Sequence, residues 1–347
     1  MKYFTASIMI IFSLLTAVAT ASPFVSSEIN QLSELEMSEL LAQAEQGTAE
    51  AQFNLAISYQ AQRQFKNALH WYLLAAQQGF SKAQINLALL YQNGNGSEKN
   101  PQQQVYWMQI AAQSGDPLGQ LNMADYFLHG VPTVLAADPQ QALQWLNKSA
   151  QQNYHPAQLT LAYWYEQGIA VRADPQHAQQ LYKQLAEDSN AQAQYILGYQ
   201  LATGKYQPID YTQAYNYFTL AAQQGLAQAE YSLGMLYLQG RGVTANPVQA
   251  KNWLTKAAKQ GEISAQFNLA LLYTRGDGVK KDNNQACYWY QQAALQGNPE
   301  AQYATGACYQ YGIGFAQNDK HALSWYKAAA QQGYERAKKK VLIISQH

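Results

Sequence analysis

The chain has 347 residues, and its 22 basic and 22 acidic side chains give a formal net charge of zero. A surface that binds nucleic acid needs clustered lysines and arginines, and the only such cluster is Lys338-Lys339-Lys340. We therefore expect no nucleic acid partner. Charged residues make up 13% of the chain, and its 26 tyrosines are more than a helical core alone needs.

The first 21 residues form a unit of their own. Lys2 is followed by a mostly apolar stretch from Ile8 to Leu15 and then by Ala19-Thr20-Ala21, a small-x-small pattern. This order predicts a secretory signal peptide over residues 1–21 and a bacterial protein that is periplasmic or secreted. The apolar stretch is too short and too interrupted to span a bilayer comfortably, although a retained anchor is the alternative. We expect no integral membrane span after signal cleavage.

An internal repeat covers most of the remaining chain. Its first half reads A-Q-x-x-L-A/G-x-x-Y-x-x-G, and its second half has Ala, an aromatic residue three positions later, and Ala-Ala four positions after that. Six of the eight units are 36 residues long. The units begin at Ala51, Ala83, Gly119, Ala157, Ala193, Ala229, Ala265 and Ala301.

The spacing within a unit predicts two helices. Leu233, Gly234 and Tyr237 share one helical face, where the small residue allows a second helix to approach. Ala250, Trp253 and Ala257 are predicted to form the matching face of that second helix. One unit buries too little surface to fold alone, so stacking of units must supply the core.

These motifs resemble the Sel1-like repeat, a relative of the tetratricopeptide repeat (TPR). The G-x-G-V turn, as in Gly240–Val243 and Gly276–Val279, is the most specific mark. The resemblance implies an all-α fold, a right-handed α-solenoid of about eight antiparallel helix pairs over residues 51–336. We assign residues 22–50 to an N-terminal capping half-repeat and residues 337–347 to a C-terminal capping helix. Membrane contact by the latter is the alternative.

The family also implies a function. Its bacterial members are often exported scaffolds or adaptors, and some act in envelope assembly or host-cell contact. We therefore expect an exported scaffold that binds a protein or peptide. The alternatives are a factor that binds peptidoglycan or another glycan, and a β-lactamase-type hydrolase as labelled in cysteine-rich relatives. Because the chain has two cysteines and lacks the regular cysteines of those relatives, we expect no enzymatic activity.

In related TPR solenoids the first helix of each unit lines the concave face. That arrangement would place the third, fourth, seventh and tenth residues of each unit in a groove. Aromatic rings there would supply contact area at low entropy cost, and Asn could pair with a partner's main chain. The alternative interpretation is that these residues pack against neighbouring helices. The predicted groove residues are Tyr163, Tyr195, Tyr199, Tyr231, Met235, Phe267, Asn268 and Tyr303.

The two cysteines lie in adjacent units. Cys287 is early in the second helix of unit 7, and Cys308 is in the first helix of unit 8. If these helices are antiparallel, both residues lie at similar height, as do Leu69 and Leu90 at the same 21-residue separation. We predict a Cys287–Cys308 disulfide, worth about 3 kcal/mol for a loop of about 20 residues in an oxidising compartment. Two buried free thiols are the alternative.

No pattern indicates a cofactor or a metal. The six histidines are spread along the chain without metal-ligand spacing or accompanying cysteines. The glycine pairs follow no predicted strand and lack the G-K-[ST] ending of a phosphate-binding loop. We therefore expect neither a metal ion nor a bound cofactor.

Overall fold

The structure is a computed structural model that describes residues 34–344, so the predicted signal peptide lies outside the described residues. Within residues 34–344 there are 18 helices and no strand, apart from an isolated bridge between Val131 and Leu135. The helices are α1 (Glu34–Glu45), α2 (Ala49–Ala61), α3 (Phe65–Gln77), α4 (Ser81–Asn93), α5 (Pro101–Gln113), α6 (Pro117–His129), α7 (Pro139–Ala150), α8 (His155–Gln167), α9 (Pro175–Glu187), α10 (Ala191–Thr203), α11 (Tyr211–Gln223), α12 (Ala227–Gln239), α13 (Pro247–Lys259), α14 (Ile263–Arg275), α15 (Asn283–Leu295), α16 (Pro299–Tyr311), α17 (Asp319–Gln331) and α18 (Glu335–Ile344).

The helices alternate between two types. We call the first helix of each repeat the A helix (even numbers, α2 to α16) and the second the B helix (odd numbers, α3 to α17). From α1 to α8, and again from α10 to α18, helices that are consecutive in the chain pack on each other. This confirms the all-α fold and the solenoid of helix pairs, while the handedness of stacking stays a prediction. The chain divides into two compact units between Leu181 and Tyr182, which we call the N-terminal and C-terminal halves.

Local sequence determines where the helices begin and end. Asp138 caps α7 by accepting hydrogen bonds from the backbone N–H groups of Gln140 and Gln141 at 3.0 Å. Pro139 follows at the first helical position, where a missing N–H costs no helical hydrogen bond. The A helix α12 ends at Gly240, whose φ of 64° is left-handed and therefore favours glycine.

Within a repeat, the sixth residue of the unit, which lies on the A helix, must be small. A Cβ added at Gly234 would lie 2.9 Å from Cγ of Leu254, and one at Gly306 would lie 2.8 Å from the ring of Tyr326. Leu254 and Tyr326 are fully buried. Ala250 and Ala257 of the predicted B-helix face are fully buried, but the large side chain at the centre of this face is Leu254, and Trp253 packs at the edge of the core. Trp253 is half-buried, because the core face follows the i, i+4 spacing from Ala250 to Leu254.

Between repeats, the second glycine of the G-x-G turn makes the closest approach. Gly242, with φ of 69°, lies against the backbone of Tyr211 at the start of the preceding B helix, and a Cβ there would overlap the Tyr211 carbonyl group. Gly278, with φ of 71°, has the same relation to Pro247. The turn of one repeat thus sits on the first residue of the previous B helix, which is why the turn needs glycine.

The predicted disulfide is present in the structure. It joins Cys287 of α15 to Cys308 of α16, with the two Cα atoms 6.1 Å apart. Both residues are buried. The bond therefore links the B helix of repeat 7 to the A helix of repeat 8.

A chain of glutamine hydrogen bonds, which we call the glutamine relay, also joins the repeats. Nε2 of the buried Gln266, the second residue of its unit, donates to the carbonyl of Ala258 at 3.1 Å. Its Oε1 accepts from Gln296, at the end of its own B helix, at 2.9 Å. One amide thereby connects three consecutive helices. The same donation to the preceding B helix occurs at Gln52, Gln84, Gln120, Gln194 and Gln302.

Three repeats depart from the relay. In repeat 4 the residue at the end of the B helix is Asp188, whose carboxylate has no proton to donate to Gln158. In repeat 2 the residue at the end of the B helix is Ser114, and Oε1 of Gln84 is buried without a hydrogen-bond partner. In repeat 6 the second residue is Glu230, which accepts from Gln260 at 2.9 Å. An ionised carboxylate has no proton to donate to the preceding helix.

Candidate partner-binding face of the A helices

The third residue of each unit packs mainly within its own repeat. The ring of Phe267 lies 5.6 Å from that of Tyr290 on the B helix, and the ring of Tyr303 lies 5.3 Å from that of Tyr326. These tilted contacts contribute to the repeat core. We call these third residues the third-residue column. Packing against a neighbouring helix, which was the alternative interpretation, therefore accounts for many of its aromatic residues.

Burial divides this column into two groups. Tyr195 is 4% exposed and packs against Phe218 at 5.8 Å between ring centroids. Its predicted place at the centre of a groove was therefore wrong, because the A and B helices of repeat 5 enclose the ring. Tyr231, Phe267 and Tyr303 remain half-buried, with part of each ring open to solvent.

The seventh residue of the repeat is more accessible in repeats 5 to 7 than in repeats 1 and 2. Ile57 and Leu89 are buried. Tyr199, Met235 and Leu271 occupy the equivalent place in three consecutive repeats and are half-buried. Tyr163, in repeat 4, is also half-buried. These side chains form a partly exposed apolar stripe, which we call the A-helix stripe: Tyr199, Met235 and Leu271.

Asn268 lies next to this stripe. Its Nδ2 donates to the carbonyl of Ser264 at 2.8 Å, one turn earlier in its own helix. Asn122 in repeat 3 makes the same bond to Leu118, at 2.8 Å. The hydrogen bond fixes the side chain and leaves the amide oxygen as the group that can accept from a partner's N–H.

Two tyrosines on A helices, Tyr237 and Tyr126, are unsuited to acid–base chemistry at neutral pH. The hydroxyls of Tyr215 and Tyr237 are 2.9 Å apart. That hydrogen bond, together with burial, raises the pKa of Tyr237 to about 12. Burial likewise raises the pKa of Tyr126, in the N-terminal half, to about 12. Both hydroxyls therefore remain protonated at neutral pH.

Residues 34–344 contain no group of three or more His, Cys, Asp and Glu side chains that could hold a metal ion. None of the described helices is long and apolar enough to cross a membrane.

The glutamine relay is the feature that sequence reasoning missed. Glutamine is the second residue of seven of the eight repeats, and the exception is repeat 6, which has Glu230. That recurrence was the available signal, because a glutamine kept at one helical place despite burial must have partners for its amide.

Eight consecutive segments of the chain match the Sel1 repeat. They are residues 49–80, 81–116, 117–154, 155–190, 191–226, 227–262, 263–298 and 299–334. The chain belongs to the Sel1 repeat family. Its repeats form the kind of scaffold that mediates protein–protein interaction, and such scaffolds are typically non-catalytic.

Solved structures of other Sel1 repeat proteins are similar to this chain. A Sel1 repeat protein from Oxalobacter formigenes is 27% identical, with a TM-score of 0.68 over 95% of this chain and 93% of that one. It has the same fold. A protective antigen of uropathogenic Escherichia coli is 26% identical, with a TM-score of 0.39 over 89% of this chain and 90% of that chain. An immunity protein from Pseudomonas aeruginosa is 20% identical, with a TM-score of 0.42 over 67% of this chain and 86% of that chain. The comparison with curated proteins gives no match.

Proposed function

We propose that this Sel1 repeat protein is an exported, non-enzymatic adaptor that binds a protein or peptide through the A-helix stripe of its C-terminal half. The observation that carries the proposal is the stripe itself, in which Tyr199, Met235 and Leu271 stay partly exposed at one place in three successive repeats. At the same place in repeats 1 and 2, Ile57 and Leu89 are buried, so the repeat architecture does not by itself require this exposure.

The chemistry of the stripe favours an extended peptide. Tyrosine and methionine adapt to varied apolar side chains, and the oxygen of Asn268 can accept a main-chain N–H. The half-buried edges of Tyr231, Phe267 and Tyr303 extend the surface on either side. Their shared packing role means that a partner would contact ring edges rather than ring faces.

Export is part of the proposal. The Cys287–Cys308 disulfide is compatible with an oxidising compartment. Residues 1–21 would act as a signal peptide, residues 22–50 and 337–347 would cap the array, and the mature chain would have no membrane span. Envelope assembly and host-cell contact are the proposed settings.

The first test is affinity capture followed by direct binding. The purified chain is immobilised beside a stripe variant, Tyr199→Ser/Met235→Ser/Leu271→Ser, and envelope and culture fractions are passed over both. A matched control replaces three exposed B-helix residues, Val248→Ser/Tyr288→Ser/Leu295→Ser. Thermal unfolding establishes that each variant folds, and Met235→Lys serves as a single-site version.

The proposal predicts a partner that binds the wild type and the control with equal affinity. The stripe variant should bind it at least about tenfold more weakly, since each lost apolar contact is worth about 1 kcal/mol. Equal affinity for all three chains would contradict the proposed site. Retention by purified peptidoglycan alone would favour the glycan-binding alternative. Turnover of a chromogenic β-lactam would contradict the non-enzymatic assignment.

A further inference from the structure

The turn between α14 and α15 forms an open cavity with the preceding B helix, α13. The cavity has a volume of about 630 Å³. Three of its lining side chains are lysines, Lys251 of α13 and Lys280 and Lys281 of the turn, and we call it the lysine cavity. Among the described residues that line it, only Asp282 is acidic, so the side chains leave a surplus of two positive charges.

Lys251 lies at a place where the other repeats have no charge. It is the fifth residue of its B helix, and it is half-buried. The equivalent residue of α15 is Cys287, which forms the disulfide to the next A helix. The fifth residues of the remaining B helices are Leu69, Val105, Leu143, Gln179, Tyr215 and Leu323. A positive charge at this partly buried place costs free energy unless an opposite charge accompanies it.

Lys280 and Lys281 lie in a turn whose backbone is fixed at both ends. The second glycine of the turn rests on the first residue of α13. After the lysines, the N–H of Asp282 donates to the carbonyl of Tyr273 at 3.0 Å. Between these two contacts, Val279 packs against the apolar core. The lysines are therefore held at the cavity by backbone that is already ordered, which lowers the entropy cost of binding a ligand.

The corresponding cavity of repeat 5 has a different lining. It has a volume of about 560 Å³, and Pro208 and Ile209 occupy the places of Lys280 and Lys281. Its lining residues include an equivalent aspartate but no lysine or arginine. The cavity is therefore a consequence of the repeat architecture, whereas the positive charge comes from the lysines of repeats 6 and 7.

The three lysines have no anionic partner within the described part of the chain. None of their ammonium groups forms an ion pair or a hydrogen bond with another described residue. Asp282 has a different role, because its Oδ1 accepts the N–H of Gln285 at 3.0 Å as the N-cap of α15. An anion from solution would relieve the repulsion among the three like charges.

We infer that the lysine cavity binds a phosphate group through Lys251, Lys280 and Lys281. Inorganic phosphate or a phosphate monoester carries a charge of about −1.5 to −2 at neutral pH, which matches the surplus of two positive charges. Lysine binds phosphate oxygens as a charged hydrogen-bond donor. A single carboxylate would leave one positive charge unmatched.

The phosphate can be free in solution or part of a lipid headgroup, and the two sources can be distinguished by experiment. No residue of the A-helix stripe lines the lysine cavity. The inference therefore does not depend on the proposed adaptor function.

Equilibrium dialysis of the purified chain against labelled inorganic phosphate is the first test. The buffer is neutral and of constant ionic strength, so that screening does not change with the phosphate concentration. The wild type should bind one phosphate with a Kd of about 0.1–1 mM, the affinity expected for a few charge-assisted hydrogen bonds.

The cavity variant, Lys251→Met/Lys280→Gln/Lys281→Gln, removes the three charges and keeps side chains of similar length. It should bind phosphate at least about 30-fold more weakly than the wild type. Lys280→Gln/Lys281→Gln changes only the exposed turn, leaves α13 intact, and should weaken binding about tenfold. Circular dichroism and thermal unfolding verify that both variants fold.

A matched control removes three exposed lysines outside the cavity and lowers the net charge by the same amount. It carries Lys259→Gln/Lys320→Gln/Lys327→Gln. This control should bind phosphate within about twofold of the wild type, because solvent ions screen charges that do not contact the ligand.

Vesicle binding identifies the source of the phosphate. Vesicles of phosphatidylcholine with phosphatidic acid present a lipid phosphate monoester, and vesicles of phosphatidylcholine alone are the reference. If the ligand is a headgroup, the wild type and the control should cosediment with the anionic vesicles, and the cavity variant should not. If the ligand is free phosphate, dialysis should show binding while none of the chains cosediments.

Two results would overturn the inference. The wild type could bind neither inorganic phosphate nor the anionic vesicles, or the cavity variant could bind them as tightly as the control does. In the second case net charge or another part of the surface attracts the phosphate, and the lysine cavity is not its site.

Discussion

The second and seventh repeats have the same pair of helices but are held in the array by different means. In α4 of repeat 2, eight consecutive residues, Ala83–Leu90, are buried. In α14 of repeat 7 only five are: Ala265, Gln266, Leu269, Ala270 and Leu272. Repeat 2 has an incomplete glutamine relay, whereas repeat 7 has a complete one and a disulfide to repeat 8.

The comparison indicates that apolar burial and directed bonds can substitute for each other within one repeat architecture. Burying one aliphatic side chain contributes about 1.5–3 kcal/mol. A disulfide over a short loop contributes about 3 kcal/mol, and one amide hydrogen bond about 1 kcal/mol. The lower apolar burial of repeat 7 leaves its A-helix stripe residue, Leu271, available to a partner. The denser burial of repeat 2 encloses Leu89 instead.

The largest expected effect is loss of the disulfide. Cys287→Ser/Cys308→Ser should reduce the free energy of unfolding by about 3 kcal/mol, because the unfolded chain regains the freedom of a short loop. Hydrogen exchange should accelerate in repeats 7 and 8 and remain unchanged in repeat 2. Reductant should produce the same loss in the wild type and none in the double variant. Equal acceleration in repeat 2 would contradict the separation of the two regions.

The G-x-G turn gives the next largest effect. Gly278→Ala should cost about 2 kcal/mol more than Gly297→Ala, because a Cβ at Gly278 overlaps Pro247 while one at Gly297 meets nothing within 4 Å. Both glycines have left-handed φ values, so Gly297→Ala controls for backbone strain alone. Urea unfolding of the two variants measures the difference. Equal destabilisation would mean that the turn does not fix the spacing of the repeats.

Completing the relay in repeat 2 should stabilise the protein. Ser114→Gln supplies a donor to the buried Oε1 of Gln84, as Gln152 does for Gln120 at 2.8 Å in repeat 3. The expected gain is about 1 kcal/mol. Ser114→Glu has similar size but no proton to donate at neutral pH, so it should give no gain. If both variants behave alike, the unsatisfied oxygen of Gln84 is not a source of instability.

The smallest effect concerns Glu230 and depends on pH. Burial raises the pKa of Glu230, opposed by the charge of Lys256 and the hydrogen bond from Gln260. Because the folded pKa lies above the ordinary carboxyl value, ionisation destabilises the fold as the pH rises through the window between the two values. Glu230→Gln should therefore be more stable than the wild type at neutral pH, by about 0.5–1 kcal/mol for a restored amide donor.

The sign of that effect can be checked directly. Below the ordinary carboxyl pKa, Glu230 is protonated in both the folded and the unfolded state, and its hydroxyl can donate as the amide does. The advantage of Glu230→Gln should then shrink towards zero in urea unfolding at acidic pH. An advantage that is equal at acidic and neutral pH would show that ionisation of Glu230 does not matter.

The sequence predicted the repeat, the helix pairs and the Cys287–Cys308 pairing because each depends on spacing that recurs along the chain. It predicted that Trp253 would pack in the core at the place that Leu254 occupies. Both residues fit an apolar helical face, and only the contact of Leu254 with Gly234 in the structure distinguishes them. It also placed Tyr195 on an open groove. Side-chain exposure depends on how closely two helices approach, which helical periodicity does not determine.

Site-specific photo-crosslinking with the captured partner tests the central claim most directly. A photoreactive residue is placed at Met235 or Leu271 on the A-helix stripe, or at the exposed Lys259 on a B helix. A partner bound in the A-helix stripe should crosslink from Met235 and Leu271 and not from Lys259. Crosslinking from Lys259 alone would contradict the account and place the binding surface on the B helices.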